Sequence, residues 1–90
     1  MTYDHFDGIK INLYDNDHPP PHFHALYQGH EALIEIDTLF VLNGWIPPVQ
    51  LGKIERRFKN KKVELRTLFE LLSPKINHAN PAPNTGNTVG

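Results

Sequence analysis

The sequence predicts an α+β fold in which a three- or four-stranded antiparallel sheet is followed by a C-terminal helical segment on one face. Two periodic patterns support this prediction. In the first half of the chain apolar and polar residues alternate, which is typical of half-buried strands. After Pro47 and Pro48 the apolar residues recur every three or four positions, as they do along an amphipathic helix. Gly44 and the two prolines separate the patterns, because such residues end a sheet and open a helix.

The predicted strands follow from the alternation and from one turn. Ile9, Ile11 and Leu13 alternate with polar residues and mark the first strand. A second strand covers about residues 22–27, a third covers about 30–36, and a short fourth covers 39–42. Gln28-Gly29 is a two-residue turn in which glycine accepts a positive φ, so the second and third strands form a β-hairpin.

Two apolar stripes predict the helical segment, and we expect both to pack on the sheet. The first contains Leu51, Ile54 and Phe58, and the second contains Leu65, Leu68, Phe69 and Leu72. Asn60 lies between the stripes and indicates a break or a bend, with one continuous helix as the alternative. We expect one domain over residues 1–75 and a disordered tail over residues 76–90, where Pro, Asn, Gly and Thr replace the periodicity.

The composition is that of a small soluble globular protein. Ninety residues, of which 39% are hydrophobic and 21% are charged, make a single domain. No apolar run approaches the ~20 residues of a membrane span and the N-terminus carries no secretory signal, so we expect a cytoplasmic location. The chain has no cysteine, which excludes disulfides and thiolate ligands and leaves any metal site to His, Asp and Glu.

Charge is distributed unevenly along the chain. Seven acidic residues and a single Lys10 precede Thr38, whereas seven of the nine basic residues fall within residues 53–66. The basic run has two interpretations: a solvated face of helices that dock on an acidic sheet, or a binding patch for phosphate, nucleic acid or an acidic partner. The candidate binding residues of such a patch are Lys53, Arg56, Arg57, Lys61 and Lys62.

The most informative segment is HPPPHFH at residues 18–24, which holds three of the six histidines. Proline restricts its own φ and the conformation of the preceding residue, so the segment enters the second strand as a stiff lead-in. Side chains two apart on a strand share a face, so His22 and His24 project together while Phe23 points to the core. The register set by the two-residue turn places His22 opposite Glu35 on the same face.

This histidine face has three possible roles. His22 and His24 beside Glu35 are candidates for acid–base catalysis, because a carboxylate fixes the tautomer of an imidazole and raises its basicity. His18, His22 and His24 are candidate ligands of zinc or another divalent transition metal. Alternatively, the histidines only hydrogen-bond to neighbours and stabilise the proline loop. Tyr14 is expected on the same side of the sheet and joins His18, His22 and His24 as a candidate binding residue.

These motifs resemble those of a known family. An Asp- or Asn-rich lead, the Pro-Pro-His-Phe-His core, a hydrophobic strand, a Gly turn and a Glu-Ala-x-Ile run are similar to a family of small bacterial and archaeal proteins classified as a domain of unknown function. The matching residues are Asp15 to Asp17, His18, Pro20, Pro21, His22, Phe23, His24, Ala25, Tyr27, Gly29, Glu31, Ala32, Ile34 and Ile36. The resemblance supplies no activity. It does imply a partner, because members sit beside a second small protein in arrangements that resemble toxin–antitoxin pairs.

The sequence supports two functional hypotheses. In the first, the chain is a small cytosolic accessory or toxin-like protein that binds a partner protein or nucleic acid through the histidine face and the basic helix. In the second, it is a metal-dependent or acid–base enzyme of hydrolase or phosphotransfer type, which uses His18, His22, His24 and Glu35 on a small phosphorylated or nucleic-acid substrate. Both hypotheses leave the oligomeric state open.

Overall fold

The structure, a computed structural model, describes residues 1–73, and the tail predicted over residues 76–90 lies outside them. Its elements in chain order are β1 (Thr2–Phe6), β2 (Ile9–Asn12), β3 (His22–Tyr27), β4 (His30–Glu35), β5 (Val41–Gly44), α1 (Pro48–Phe58) and α2 (Lys62–Leu72). The strands form one five-stranded sheet in the order β1-β2-β3-β4-β5, and all neighbouring strands are antiparallel. The α+β class is confirmed, although the sheet has five strands and not the three or four predicted. Neither helix is long and apolar enough to cross a membrane.

The additional strand is β1, in which apolar and polar residues do not alternate regularly because its pairing with β2 is irregular. The pairing with β2 shifts between Thr2 and Asp4, so Tyr3 is an extra residue in the ladder, as in a β-bulge. The rings of Tyr3 and Phe6, three positions apart, each lie 5.8 Å from the ring of Phe58 on α1. The strand prediction depended on apolar residues two positions apart, and the apolar residues of β1 do not have this spacing. The strand was therefore not predicted.

The β3–β4 hairpin has the predicted register. His22 pairs with Glu35 at its open end, and Tyr27 pairs with His30 next to the turn. Turn residues 28 and 29 have φ values of 47° and 83°, and such positive values at both positions are what a type I′ turn requires. The turn therefore determines which side chains share each face of the two central strands.

One face of the sheet and the inner sides of both helices form the hydrophobic core. The strands contribute Ile9, Ile11, Phe23, Ala25, Ala32 and Ile34, and the helices contribute Ile54, Phe58, Leu65 and Phe69. Phe58 is fully buried, and its ring lies 5.5 Å from that of Phe23 on β3. The helices therefore pack on the face that carries Phe23, and the alternate residues of β3 belong to the opposite, outer face.

The uneven charge is explained by ion pairs between the helices and the sheet. Arg57 Nε lies 2.7 Å from Asp4 Oδ2, Lys53 Nζ lies 3.4 Å from Asp7 Oδ2, and Arg66 on α2 pairs with Asp37. The hydrogen bond from Arg57 holds the pKa of the Asp4 carboxyl below its ordinary value. Much of the basic run thus faces the acidic half of the same chain, as the first interpretation of the charge pattern expects.

Candidate metal centre

Two strand residues and one loop residue converge at the outer face of the sheet. One carboxylate oxygen of Asp17, Oδ2, lies 3.2 Å from Nε2 of His22 and 3.1 Å from Nε2 of His24. The centroids of the two imidazole rings are 5.2 Å apart. The potential ligand atoms of the three residues all lie within 4.8 Å of one another. Within residues 1–73, this is the one group of His, Cys, Asp or Glu side chains placed to hold a metal ion.

The loop between β2 and β3 holds Asp17 in place. The N–H of Asn16 donates to the carbonyl of Leu72, the last residue of α2, over 3.0 Å. Asn16 has a φ of 59°, a left-handed conformation that asparagine adopts more readily than most residues. At the other end of the loop, the N–H of Ile36 donates to the carbonyl of Pro21 over 3.0 Å. Asp17 therefore follows directly on an anchored residue, and both ends of its loop are attached to the rest of the fold.

Hydrogen bonds on the far side of each ring determine which nitrogens face Asp17. Nδ1 of His22 lies 2.9 Å from the carbonyl oxygen of Pro20, and Nδ1 of His24 lies 2.9 Å from Oε2 of Glu31. A carbonyl or an ionised carboxylate only accepts, so each Nδ1 carries a hydrogen, and in a neutral ring Nε2 then bears a lone pair. The two Nε2 atoms and Oδ2 of Asp17 therefore direct three lone pairs at one another. A metal ion between the three atoms would relieve this repulsion, and so would a proton carried by one of them.

The two separations from Asp17 Oδ2 to the imidazole nitrogens also fit a tetrahedral metal site. Ligand atoms that lie about 2.0–2.1 Å from a tetrahedral zinc ion are about 3.3 Å from each other. The distances of 3.2 Å and 3.1 Å from Asp17 to the two Nε2 atoms are close to that value. The Nδ1 hydrogen bonds are those that orient metal-ligating histidines in proteins, where a carboxylate or a backbone carbonyl accepts from the second ring nitrogen.

Aromatic side chains shield the two imidazoles. The side chains of His22 and His24 are 8% and 12% exposed. The ring of Tyr14 meets that of His24 edge-on at 4.5 Å, and its hydroxyl accepts a hydrogen bond from Asn12 Nδ2 over 3.0 Å. On the other side, the ring of Phe69 lies 5.6 Å from that of His22. Tyr14 thus lies on the histidine side of the sheet, as predicted, and the two rings are confined on both flanks.

A cleft of about 300 Å³ gives access to the three converging residues. Its lining consists of Asp17, His18, Pro19, Pro20, His22, His24, Leu33 and Leu42. His18, a predicted ligand, therefore lines the same cleft, but it is not among the three residues whose ligand atoms converge. A molecule that fills the cleft would therefore contact both His18 and the three converging residues.

The carboxylates near the histidines differ from the one that the sequence singled out. Glu35 pairs with His22 along the backbone, but its Oε1 accepts a hydrogen bond from Thr38 Oγ1 over 2.8 Å. The catalytic role of Glu35 stays a prediction. Asp17 and Glu31 were missed as site residues. Glu31 could have been identified from the sequence, because the alternation of side chains places it on the histidine face. Asp17 could not, because its position depends on the conformation of the loop between β2 and β3.

The basic candidate residues lie elsewhere. Lys53, Arg56 and Arg57 line a separate cleft of about 300 Å³ together with Phe6 and Asp7. Lys62 Nζ donates to the backbone carbonyl of Asp37 over 2.6 Å, and Lys61 is exposed just before α2. The structure therefore does not bring the basic residues and the histidines into one site, and the binding role of the basic residues stays a prediction.

Comparison with known families gives one match. A family model described as "Domain of unknown function (DUF4160)" matches residues 8–70. The matched residues extend from the turn before β2 into α2, so they include the three converging residues and Glu31. No curated protein and no solved structure matches the chain.

Proposed function

The chain belongs to this family of unknown function, and we propose that it binds a divalent transition metal ion through His22, His24 and Asp17. The observation that supports this function is the convergence of His22 Nε2, His24 Nε2 and Asp17 Oδ2, with each imidazole held from behind by a hydrogen bond at its Nδ1. Two imidazoles and one carboxylate are ligands that suit zinc and its neighbours among the divalent metals.

The geometry supports a site that can act on a bound molecule. Three protein ligands would leave a fourth coordination position for water or substrate, as catalytic zinc sites require, and all three residues line the cleft. A metal ion bound here would supply Lewis acidity and would lower the pKa of a coordinated water to about 7, so we propose hydrolysis as the reaction class. The chain itself orients the ligands, because Glu31 and the Pro20 carbonyl hold the two rings in the required tautomer.

Calorimetric titration with ZnCl₂ at pH 8 and pH 5.5 tests this function. An imidazole binds metal only when it is deprotonated, and the reference pKa of histidine is ~6.5, so we expect clearly tighter binding at pH 8. Replacing both His22→Ala and His24→Ala should abolish binding and leave the circular dichroism spectrum unchanged. His5→Ala is the matched control, since His5 lies on β1 outside the site.

Two results would contradict the proposed site. Absence of zinc binding at pH 8 would remove the metal function and leave the three residues as a hydrogen-bonded cluster. Loss of binding in His78→Ala alone would place the metal in the C-terminal residues that the structure does not describe.

The exposed apolar surface of β5 favours a second candidate function, binding of a partner protein. β5 is an edge strand, and all four of its residues are exposed. Phe40 and Trp45 on either side of it are 70% and 55% exposed. Apolar edge strands pair readily with another chain, and the small protein encoded alongside is the partner that the resemblance implies. Co-expression with that protein should give a complex on size exclusion that Phe40→Lys with Trp45→Lys disrupts and Val63→Lys, on α2, does not.

A further inference from the structure

The residues around the proposed metal ligands indicate which molecules the cleft accepts. Apart from the three ligands and His18, the lining consists of Pro19, Pro20, Leu33 and Leu42, all of which are apolar. We propose that the cleft binds an uncharged ligand whose apolar group packs against Leu33 and Leu42 while its oxygen or nitrogen binds the metal ion. This inference rests on the proposed metal function and specifies its substrate class.

The apolar wall lies next to the metal-binding atoms. Leu33 is directly opposite His24 in the β3–β4 ladder, and opposite residues of an antiparallel pair have Cβ atoms about 4.5–5.5 Å apart. Leu42 comes from β5 and is 45% exposed, so a ligand in the cleft would cover part of its side chain. Pro19 and Pro20 line the same cleft, and their rings restrict the backbone φ at both positions. These four side chains offer no hydrogen-bond donor, so they suit an apolar group.

The charges near the site disfavour a phosphorylated ligand. Asp17 and Glu31 place two carboxylates around the position of a divalent ion, which would neutralise its charge. Proteins bind phosphate mainly through Arg, Lys or backbone N–H groups, and among residues 1–73 no Arg or Lys lines this cleft. The cations Lys53, Arg56 and Arg57 line the other cleft instead. An uncharged ester or amide with an apolar substituent therefore fits the histidine cleft better than a phosphate or a nucleic acid.

Three probe molecules test the ligand class on the full chain loaded with Co²⁺, whose absorption spectrum reports changes in coordination. 1-Methylimidazole and 1-benzylimidazole present the same neutral nitrogen donor and differ in their apolar group, and phenyl phosphate is the anionic comparison. Each affinity ratio of 1-benzylimidazole to 1-methylimidazole is compared with the same ratio for free Co²⁺. We expect the ratio for the protein to be about tenfold higher, because the benzyl ring is transferred from water to the surface of Leu33 and Leu42. Phenyl phosphate should bind more weakly than 1-benzylimidazole.

Variants locate the effect. In Leu42→Ser the affinity ratio of 1-benzylimidazole to 1-methylimidazole should fall close to the ratio for free Co²⁺. The affinity of the protein for Co²⁺ itself should not change. Val63→Ser, at a 72% exposed position on α2, should keep the wild-type ratio. If Co²⁺ does not bind, the proposed function fails. If Co²⁺ binds but the two imidazoles bind equally, or phenyl phosphate binds most tightly, the ligand class is wrong while the metal function stands.

Discussion

Nδ1 of His24 lies 2.9 Å from Oε2 of Glu31, although the residue directly opposite His24 in the ladder is Leu33. The contact is diagonal, because Glu31 pairs with Leu26, two positions further along β3. Diagonal neighbours on one face of a sheet are within reach of long side chains. A carboxylate in this position fixes the tautomer of His24 and directs its Nε2 towards Asp17.

We predict that Glu31→Gln lowers the affinity for Zn²⁺ about 10–100-fold, which is the usual effect of removing a carboxylate that orients a ligating histidine. Glu35→Gln is the matched control, because the carboxylate of Glu35 accepts its hydrogen bond from Thr38. It should leave the affinity unchanged when both variants are titrated calorimetrically at pH 8. The reverse result, with Glu35 important and Glu31 dispensable, would instead support the role of the Glu35 carboxylate beside His22 that the sequence predicted.

The sequence was informative where local geometry determines the outcome. The two-residue turn at Gln28 and Gly29 sets the hairpin register, and the period of two then places His22 and His24 side by side. Backbone pairing does not determine where a long side chain ends, which is why Glu31 rather than Glu35 contacts a histidine.

The position of Asp17 could not be predicted for a different reason. Its loop is held by the hydrogen bond from Asn16 to Leu72, which forms only when α2 packs against the sheet. A contact between residues so far apart in the chain leaves no periodic pattern. The bulge at Tyr3 similarly removed the alternation that would have indicated β1.

Phe58 is predicted to be a main determinant of stability. Its ring lies within 5.8 Å of the rings of Tyr3, Phe6 and Phe23, and its side chain is fully buried. Phe58→Ala should lower the free energy of unfolding by about 3–5 kcal/mol, the usual cost of removing a buried phenyl ring. The matched control is Phe40→Ala, at a 70% exposed position, which should change stability by less than about 0.5 kcal/mol. Urea unfolding measures both, and equal effects would show that α1 does not pack as described.

Gly44 is predicted to be far less replaceable than Gly29. Both have positive φ, 80° and 83°, but a Cβ at Gly44 would lie 2.2 Å from the carbonyl oxygen of Glu31, whereas one at Gly29 would meet no atom within 4 Å. Gly29→Ala should cost about 1–2 kcal/mol through backbone strain alone. Gly44→Ala should cost more, because β5 must also move away from β4. Thermal or urea unfolding of the two variants decides this, and a smaller loss for Gly44→Ala would mean that β5 is not held against β4.

The ion pair between Asp4 and Arg57 should make stability depend on pH in the acid range. The hydrogen bond from Arg57 lowers the pKa of Asp4 in the folded chain, so the folded state binds a proton at Asp4 less readily than the unfolded state does. The contribution of the pair is therefore complete well above the ordinary Asp pKa of about 3.9 and is lost as the pH falls through the lower folded value.

Unfolding in urea at pH 7, 4.5 and 3 should show that Asp4→Asn is less stable than wild type at pH 7 and that this difference shrinks at pH 3. Asp15→Asn, at an exposed loop position, is the matched control. Its free energy of unfolding should change with pH in the same way as that of wild type. A difference for Asp4→Asn that stays constant from pH 7 to pH 3 would show that the carboxylate charge does not stabilise the contact between β1 and α1.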